Sequence, residues 1–164
     1  MKNLKYKFIT IIVILTSAVS TAQISKAEIK ATGLTCSMCS NAINKQLKSM
    51  PEVANVDTDL NTNTFTVTLK TDNTLSPKIF KEKVEKAGFF IGSLIVSMKS
   101  EALNSKDYIF VNNKTEAATS EVKIQVLDKG YVTDKEYKKL VKSFKNIASY
   151  AVMNEDDFHV KMIK

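Results

Sequence analysis

Gly33-Leu34-Thr35-Cys36-Ser37-Met38-Cys39 carries both cysteines of the 164-residue chain, three positions apart. Just upstream, Ala27 to Thr32 (Ala-Glu-Ile-Lys-Ala-Thr) alternates with period two, as a half-buried strand does. Just downstream, Cys39, Ile43, Leu47 and Met50 recur at i, i+4, i+8 and i+11, one stripe of a helix, and Pro51 stops it. The two thiols therefore fall where a strand gives way to a helix, a turn on which both can converge on one soft metal ion.

Further along, Val53 to Leu60 reads as a second strand and Asn61-Thr62-Asn63 as a turn. Phe65, Val67 and Leu69 alternate with threonines in a third strand rich in β-formers. Ser76-Pro77 opens a second helix, with Ser at the cap and Pro at the first helical position. Phe80, Val84 and Ala87 are its apolar stripe, and Gly88 ends it. Ile91 to Met98 is a fourth strand. The order strand, helix, strand, strand, helix, strand predicts an α+β, ferredoxin-like βαββαβ domain over residues 27–98, with two helices on one face of an antiparallel sheet.

Residues 99–106 are polar and read as a linker. Residues 107–164 read as a small strand-rich α+β unit, with an incomplete OB-like barrel as one topology. Its expected parts are a short strand at Tyr108 to Val111, a polar loop at Asn112 to Ser120, and a strand carrying Val122, Ile124 and Val126. A capping box follows at Thr133-Asp-Lys-Glu136, then a helix with Tyr137, Leu140, Val141 and Phe144 on one face. Two last strands are expected at Ala148 to Met153 and Phe158 to Ile163, with Asp156-Asp157 as a hairpin turn. The unit shows neither a repeat of the first module nor a second cysteine pair.

The first 22 residues read as a secretory signal: Lys2, Lys5 and Lys7, then the apolar run Phe8 to Leu15, then small residues at Ser20 and Ala22. The run is shorter than the ~20 residues of a membrane span, so no stable membrane insertion is expected after cleavage. An uncleaved anchor is the alternative. The expected location is periplasmic or secreted. The formal charge of +7 includes the three leader lysines, and all 24 basic residues are lysine. Without arginine or clustered aromatics, a nucleic-acid module is not expected. The lysines alternate with glutamates, as in Lys81-Glu82-Lys83, giving a solvated surface of modest positive character that could aid docking to an acidic partner.

An exported cysteine pair ordinarily suggests a disulfide. A Cys-x-x-Cys bridge, however, closes a very small loop and removes little chain entropy. Soft ions such as Cu(I) and Hg(II) accept two thiolates in near-linear geometry. Zn(II) prefers four ligands, or three and water, and here it would need a carboxylate or the single histidine, His159. The neighbour of Cys36 is the neutral Thr35. Peptide N–H groups and the helix dipole at such a turn stabilise thiolates. A redox pair is the rival chemistry, but no Trp stands beside the motif and no Pro stands between the cysteines.

Residues Ile29 to about Val96 resemble the heavy-metal-associated domain of copper chaperones and metal-transporting P-type ATPases. The resemblance rests on Gly33-Leu-Thr-Cys36-Ser-Met-Cys39, on Val53-Ala-Asn-Val56 with the Phe65-Thr-Val67 strand, and on Lys86-Ala87-Gly88-Phe89. It implies Cys36 and Cys39 as metal ligands and Phe89 as a hydrophobic shield for the sulfurs. The family usually places Met two residues before its first cysteine, where Leu34 stands here, a volume-conserving change. The resemblance does not reach the carboxy-terminal unit.

Three residues have competing readings. Met38 is either an exposed bystander or a weak third sulfur contact. His159 is expected on the surface, with an accessory ligand as the other reading. Met153 and Met162 are expected in the core. With no Ser/His/Asp set, no phosphate-binding glycine loop and one histidine, an enzyme is not expected. The sequence thus suggests an exported protein that takes up a soft ion, Cu(I) before Hg(II) or Zn(II), and passes it by thiolate exchange. Its partners would be a metal-transporting ATPase or another envelope donor or acceptor, and its state a monomer or a metal-bridged dimer. The alternatives are a periplasmic Hg(II)-binding protein, an envelope adaptor acting through its carboxy-terminal unit, or a thiol–disulfide carrier.

Overall fold

The computed structural model describes residues 24–104, 106–112, 120–152 and 157–163. The leader, Met153, Asp156 and most of the polar loop lie outside these residues. Four strands and two helices follow the expected order: β1 (Ile24–Thr32), α1 (Ser37–Lys48), β2 (Val53–Asp59), β3 (Thr64–Leu69), α2 (Pro77–Lys86) and β4 (Phe90–Lys99). The four strands stand side by side as β2-β3-β1-β4, all antiparallel. This is the ferredoxin-like arrangement.

The alternation in the sequence becomes the two faces of the sheet. In β3, Phe65, Val67 and Leu69 point to the core while the threonines between them are more exposed. Across the sheet, Ile29 pairs with Phe65 and Leu94, and Ala27 pairs with Val67 and Val96. Ile43 and Leu47 of α1 and Phe80 and Val84 of α2 close over this face, each fully buried. Burying a side chain of this size contributes about 1.5–3 kcal/mol. α1 and α2 therefore stay on one face and leave their first turns at the edge of the sheet.

The second half does not stand apart. A short 3-10 turn (Ser100–Asn104), β5 (Tyr108–Phe110), β6 (Glu121–Val126), α3 (Asp134–Ser143), α4 (Ala148–Val152) and β7 (Phe158–Ile163) complete the described elements. β6 pairs antiparallel with β4, β7 with β6, and β5 runs parallel on β7. One seven-stranded sheet results, in the order β2-β3-β1-β4-β6-β7-β5. Two apolar rows cross both halves without a break. One runs Val56, Val67, Ala27, Val96, Ile124, Met162, and the other Phe65, Ile29, Leu94, Val126, Val160.

Three sequence expectations are corrected here. Residues 99–106 are not a free linker, because Ala102 and Leu103 of the 3-10 turn are buried in the common core. The strands β5, β6 and β7 extend an open sheet and form no OB-like barrel among the described residues. The segment expected as a strand from Ala148 to Met153 is instead the short helix α4. Phe144, Ile147 and Tyr150 recur every third residue there, and their backbone N–H groups bond back in successive turns. Tyr150 roofs a second small cluster with Leu127 and Val132, on which Tyr137, Leu140 and Phe144 pack. The capping box is present: Thr133 Oγ1 accepts the N–H of Glu136 at 3.3 Å. Among the described residues no helix is long and apolar enough to cross a membrane.

Candidate metal centre

β1 ends at Thr32 and α1 begins at Ser37, so the intervening loop has four residues to reverse direction. Gly33 makes this possible with φ +84°, a conformation that costs a residue bearing a Cβ roughly 1–2 kcal/mol. Leu34 turns inward and packs on the core, anchoring the loop from below. Cys36 then takes the N-cap position of α1 in extended geometry, and its carbonyl accepts the N–H of Cys39 at 3.1 Å. That bond folds the chain so that residues 36 and 39 lie on the same side of the first turn.

The Cys36 and Cys39 sulfurs lie 3.1 Å apart and both cysteines are free. This separation is well beyond the ~2.05 Å of a disulfide. Cys36 is exposed and Cys39 partly covered. Hydrogen bonding from the Cys36 thiol, and then from the backbone at Thr35, holds the Cys39 thiol below its ordinary range. No acidic side chain occupies the first turn of α1, so the positive pole of the helix faces the thiols uncompensated. Among the described residues no group of three or more Cys, His, Asp or Glu side chains converges on a common point. The pair therefore offers two sulfurs and no third strong ligand. Bonds of roughly 2.3 Å to each sulfur, laid end to end, span about 4.6 Å. A two-coordinate ion would thus part the thiols by somewhat over an ångström, a motion the exposed Cys36 can supply by rotating its side chain.

The other residues singled out by sequence divide. Phe89 is half-buried against the core and its ring edge reaches the loop: Cδ1 lies 3.9 Å from where a Cβ on Gly33 would stand. Met38 is 80% exposed and directed away from the core. Met162 packs on the core as expected. His159 corrects its expectation, being 1% exposed and three strands from β1 in the sheet. It is no accessory ligand, since its ring nitrogens are held by Asp128 at 2.8 Å and Ser149 at 2.9 Å. The Ser/His/Asp set that the sequence seemed to lack is therefore present in space. Its members lie 10 and 31 residues from the histidine, and no short motif announces them.

Residues 28–90 match the model of the heavy-metal-associated domain. The chain carries a heavy-metal-associated domain. Its similar solved structures include the yeast copper transporter domain CCC2A, studied in apo and Cu(I)-loaded states, at 38% identity. That match covers 39% of this chain and 86% of CCC2A, with a TM-score of 0.36. The amino-terminal domain of a potential copper-translocating P-type ATPase from Bacillus subtilis is 34% identical, over 41% of this chain and 82% of its own, with a TM-score of 0.37. At those scores the assignment rests on the family match. A search of curated proteins gave no match. The matched span ends at the start of β4, so the heavy-metal-associated domain accounts for the cysteine loop but not for the strands added beyond β4.

Proposed function

We propose that this protein takes up one soft metal ion, Cu(I) first, between Cys36 and Cys39 and passes it on by thiolate exchange. The observation that carries this reading is the pair of free thiols 3.1 Å apart at the start of α1, one of them exposed, within a heavy-metal-associated domain. Two thiolates are a complete ligand set for Cu(I) or Hg(II) and an incomplete one for Zn(II). The exposed Cys36 allows transfer: an incoming thiol can bind the ion beside Cys39 while Cys36 lets go, with no change in the core. Phe89, packed against the Gly33 turn, is the proposed shield of the sulfurs from water. The site carries its cargo and does not transform it. A metal-transporting ATPase or another envelope protein of matching chemistry is the proposed donor or acceptor, and the proposed location is the periplasm or the exterior.

Competition with bathocuproine on the reduced protein tests the reading. One Cu(I) per chain is expected, lost in both Cys36→Ser and Cys39→Ser. Retention of a full equivalent by both variants would place the ion elsewhere. The same titration with Hg(II) and Zn(II) should rank Zn(II) last.

A further inference from the structure

The second half of the chain brings together Asp128, in the turn after β6, Ser149 in α4 and His159 in β7. His159 Nδ1 lies 2.8 Å from Asp128 Oδ1, and Nε2 lies 2.9 Å from Ser149 Oγ. The other carboxylate oxygen, Oδ2, accepts the backbone N–H of His159 at 2.7 Å. An ionised Asp128 can only accept, which places the ring proton on Nδ1. Nε2 is then the bare nitrogen, and it accepts the hydroxyl proton of Ser149. Burial holds the Asp128 carboxyl above its ordinary range, and its bonds with His159 offset only part of that rise.

The imidazole is held on every side. Its ring stands edge-on to Tyr150, with centroids 4.9 Å apart. The Tyr150 hydroxyl donates to Leu127 O at 2.7 Å, and Leu127 N donates to His159 O at 2.9 Å. Ser149 and Asp128 are both partly buried, so each end of the relay has some contact with solvent while the imidazole between them has almost none. A cleft of about 900 Å³ lies alongside, lined by Asp128, Tyr131 and Phe158 but not by Ser149.

We propose that Ser149 is an activated nucleophile, with His159 as its general base and Asp128 as the positioning carboxylate, that accepts the acyl group of small activated esters. Ser149 Oγ attacks the carbonyl carbon as its proton passes to Nε2, and the imidazolium forms against Asp128. The ester C–O bond breaks, and the alcohol leaves with the proton from Nε2. Water, deprotonated by the same nitrogen, then attacks the acyl-serine, releases the carboxylic acid and returns the proton to Ser149. Ester and water give acid and alcohol, with no oxidant or metal. The substrate is confined to small esters because Ser149 stands outside the cleft.

The test uses the full chain with Cys36→Ser and Cys39→Ser, so that no thiol competes, and a fluorophosphonate probe mapped by mass spectrometry. Ser149 displaces fluoride, forming a P–O bond as P–F breaks, and His159 takes the serine proton. Ser149 should label at least about 100-fold faster than the exposed Ser49 and Ser143, the scale of general-base assistance. Ser149→Ala should abolish both that label and the hydrolysis of p-nitrophenyl acetate, and Asp128→Asn should bring Ser149 towards the rate of Ser49 with circular dichroism unchanged. Labelling of Ser149 no faster than Ser49, or an unchanged rate in a folded Asp128→Asn protein, would reduce the three residues to a buried polar clamp. Should Asp128→Asn unfold, the ratio of Ser149 to Ser49 in the parent decides alone.

Discussion

Ile124 of β6 lies directly opposite Val96 of β4, and both are fully buried. Their pairing joins the heavy-metal-associated sheet to the strands that follow it. Ile124→Ala removes a buried branched side chain and should cost about 2–5 kcal/mol. Because the apolar rows run through both halves, urea unfolding should stay a single transition, with the metal-loop half losing stability along with the rest. Two separate transitions, with only the second displaced, would mean that the halves fold independently.

Gly33 adopts φ +84° at the turn that presents the cysteines. A Cβ at this position meets Phe89 only at ordinary contact distance. Backbone strain, not collision, is therefore the penalty of Gly33→Ala. Stability measured by denaturant should fall by about 1–2 kcal/mol, and Cu(I) affinity should fall with it as the loop relaxes. An unchanged affinity would show that the thiols converge without this conformation.

Phe89 packs on the core with its ring edge against the Gly33 turn of the loop. Phe89→Ala should open the loop to water and oxidant. The thiols of the apo protein, counted with Ellman's reagent during exposure to air, should disappear several-fold faster than in the parent, by analogy with the dependence of thiol oxidation on access. Equal rates would make Phe89 ordinary core.

Burial, and then the charge of Asp107, push the phenol of Tyr108 well above its ordinary value near 10. In the unfolded chain the same phenol ionises near pH 10. The unfolded state therefore sheds a proton that the folded state keeps, and stability falls as pH rises above that point. Tyr108→Phe should flatten the alkaline slope by up to about 1.4 kcal/mol per pH unit, the value of one proton, while preserving the ring stacked against Phe158 at 6.0 Å. Stability curves at several pH values between 9 and 11 would show the difference. Parallel slopes would mean that the phenol ionises equally well in the fold.

The first half of the fold was legible because each local signal agreed with its neighbours. The period-two strands, Pro77 at the start of α2 and the stripe Ile43-Leu47-Met50 all point to one sheet face. The seam between β4 and β6 was not legible. Leu94-Val96-Met98 and Val122-Ile124-Val126 alternate alike, but alternation says that a strand has a buried face and not which strand lies beside it. Ala102 and Leu103 were hidden in a polar stretch and are buried only because β6 brings the chain back. At Ala148–Val152 the apolar run is too short for periodicity to separate helix from strand. The same holds for the polar groups. Cys36 and Cys39 are neighbours in sequence and were found there. Asp128, Ser149 and His159 meet only after β6, α4 and β7 have packed.

The most direct test of the two-thiolate account is X-ray absorption at the copper edge of the Cu(I)-loaded protein, recorded at low protein concentration without added thiol. The account predicts two sulfur neighbours at a single short distance and no nitrogen or oxygen shell. Three or four ligands, or a nitrogen contribution, would contradict it.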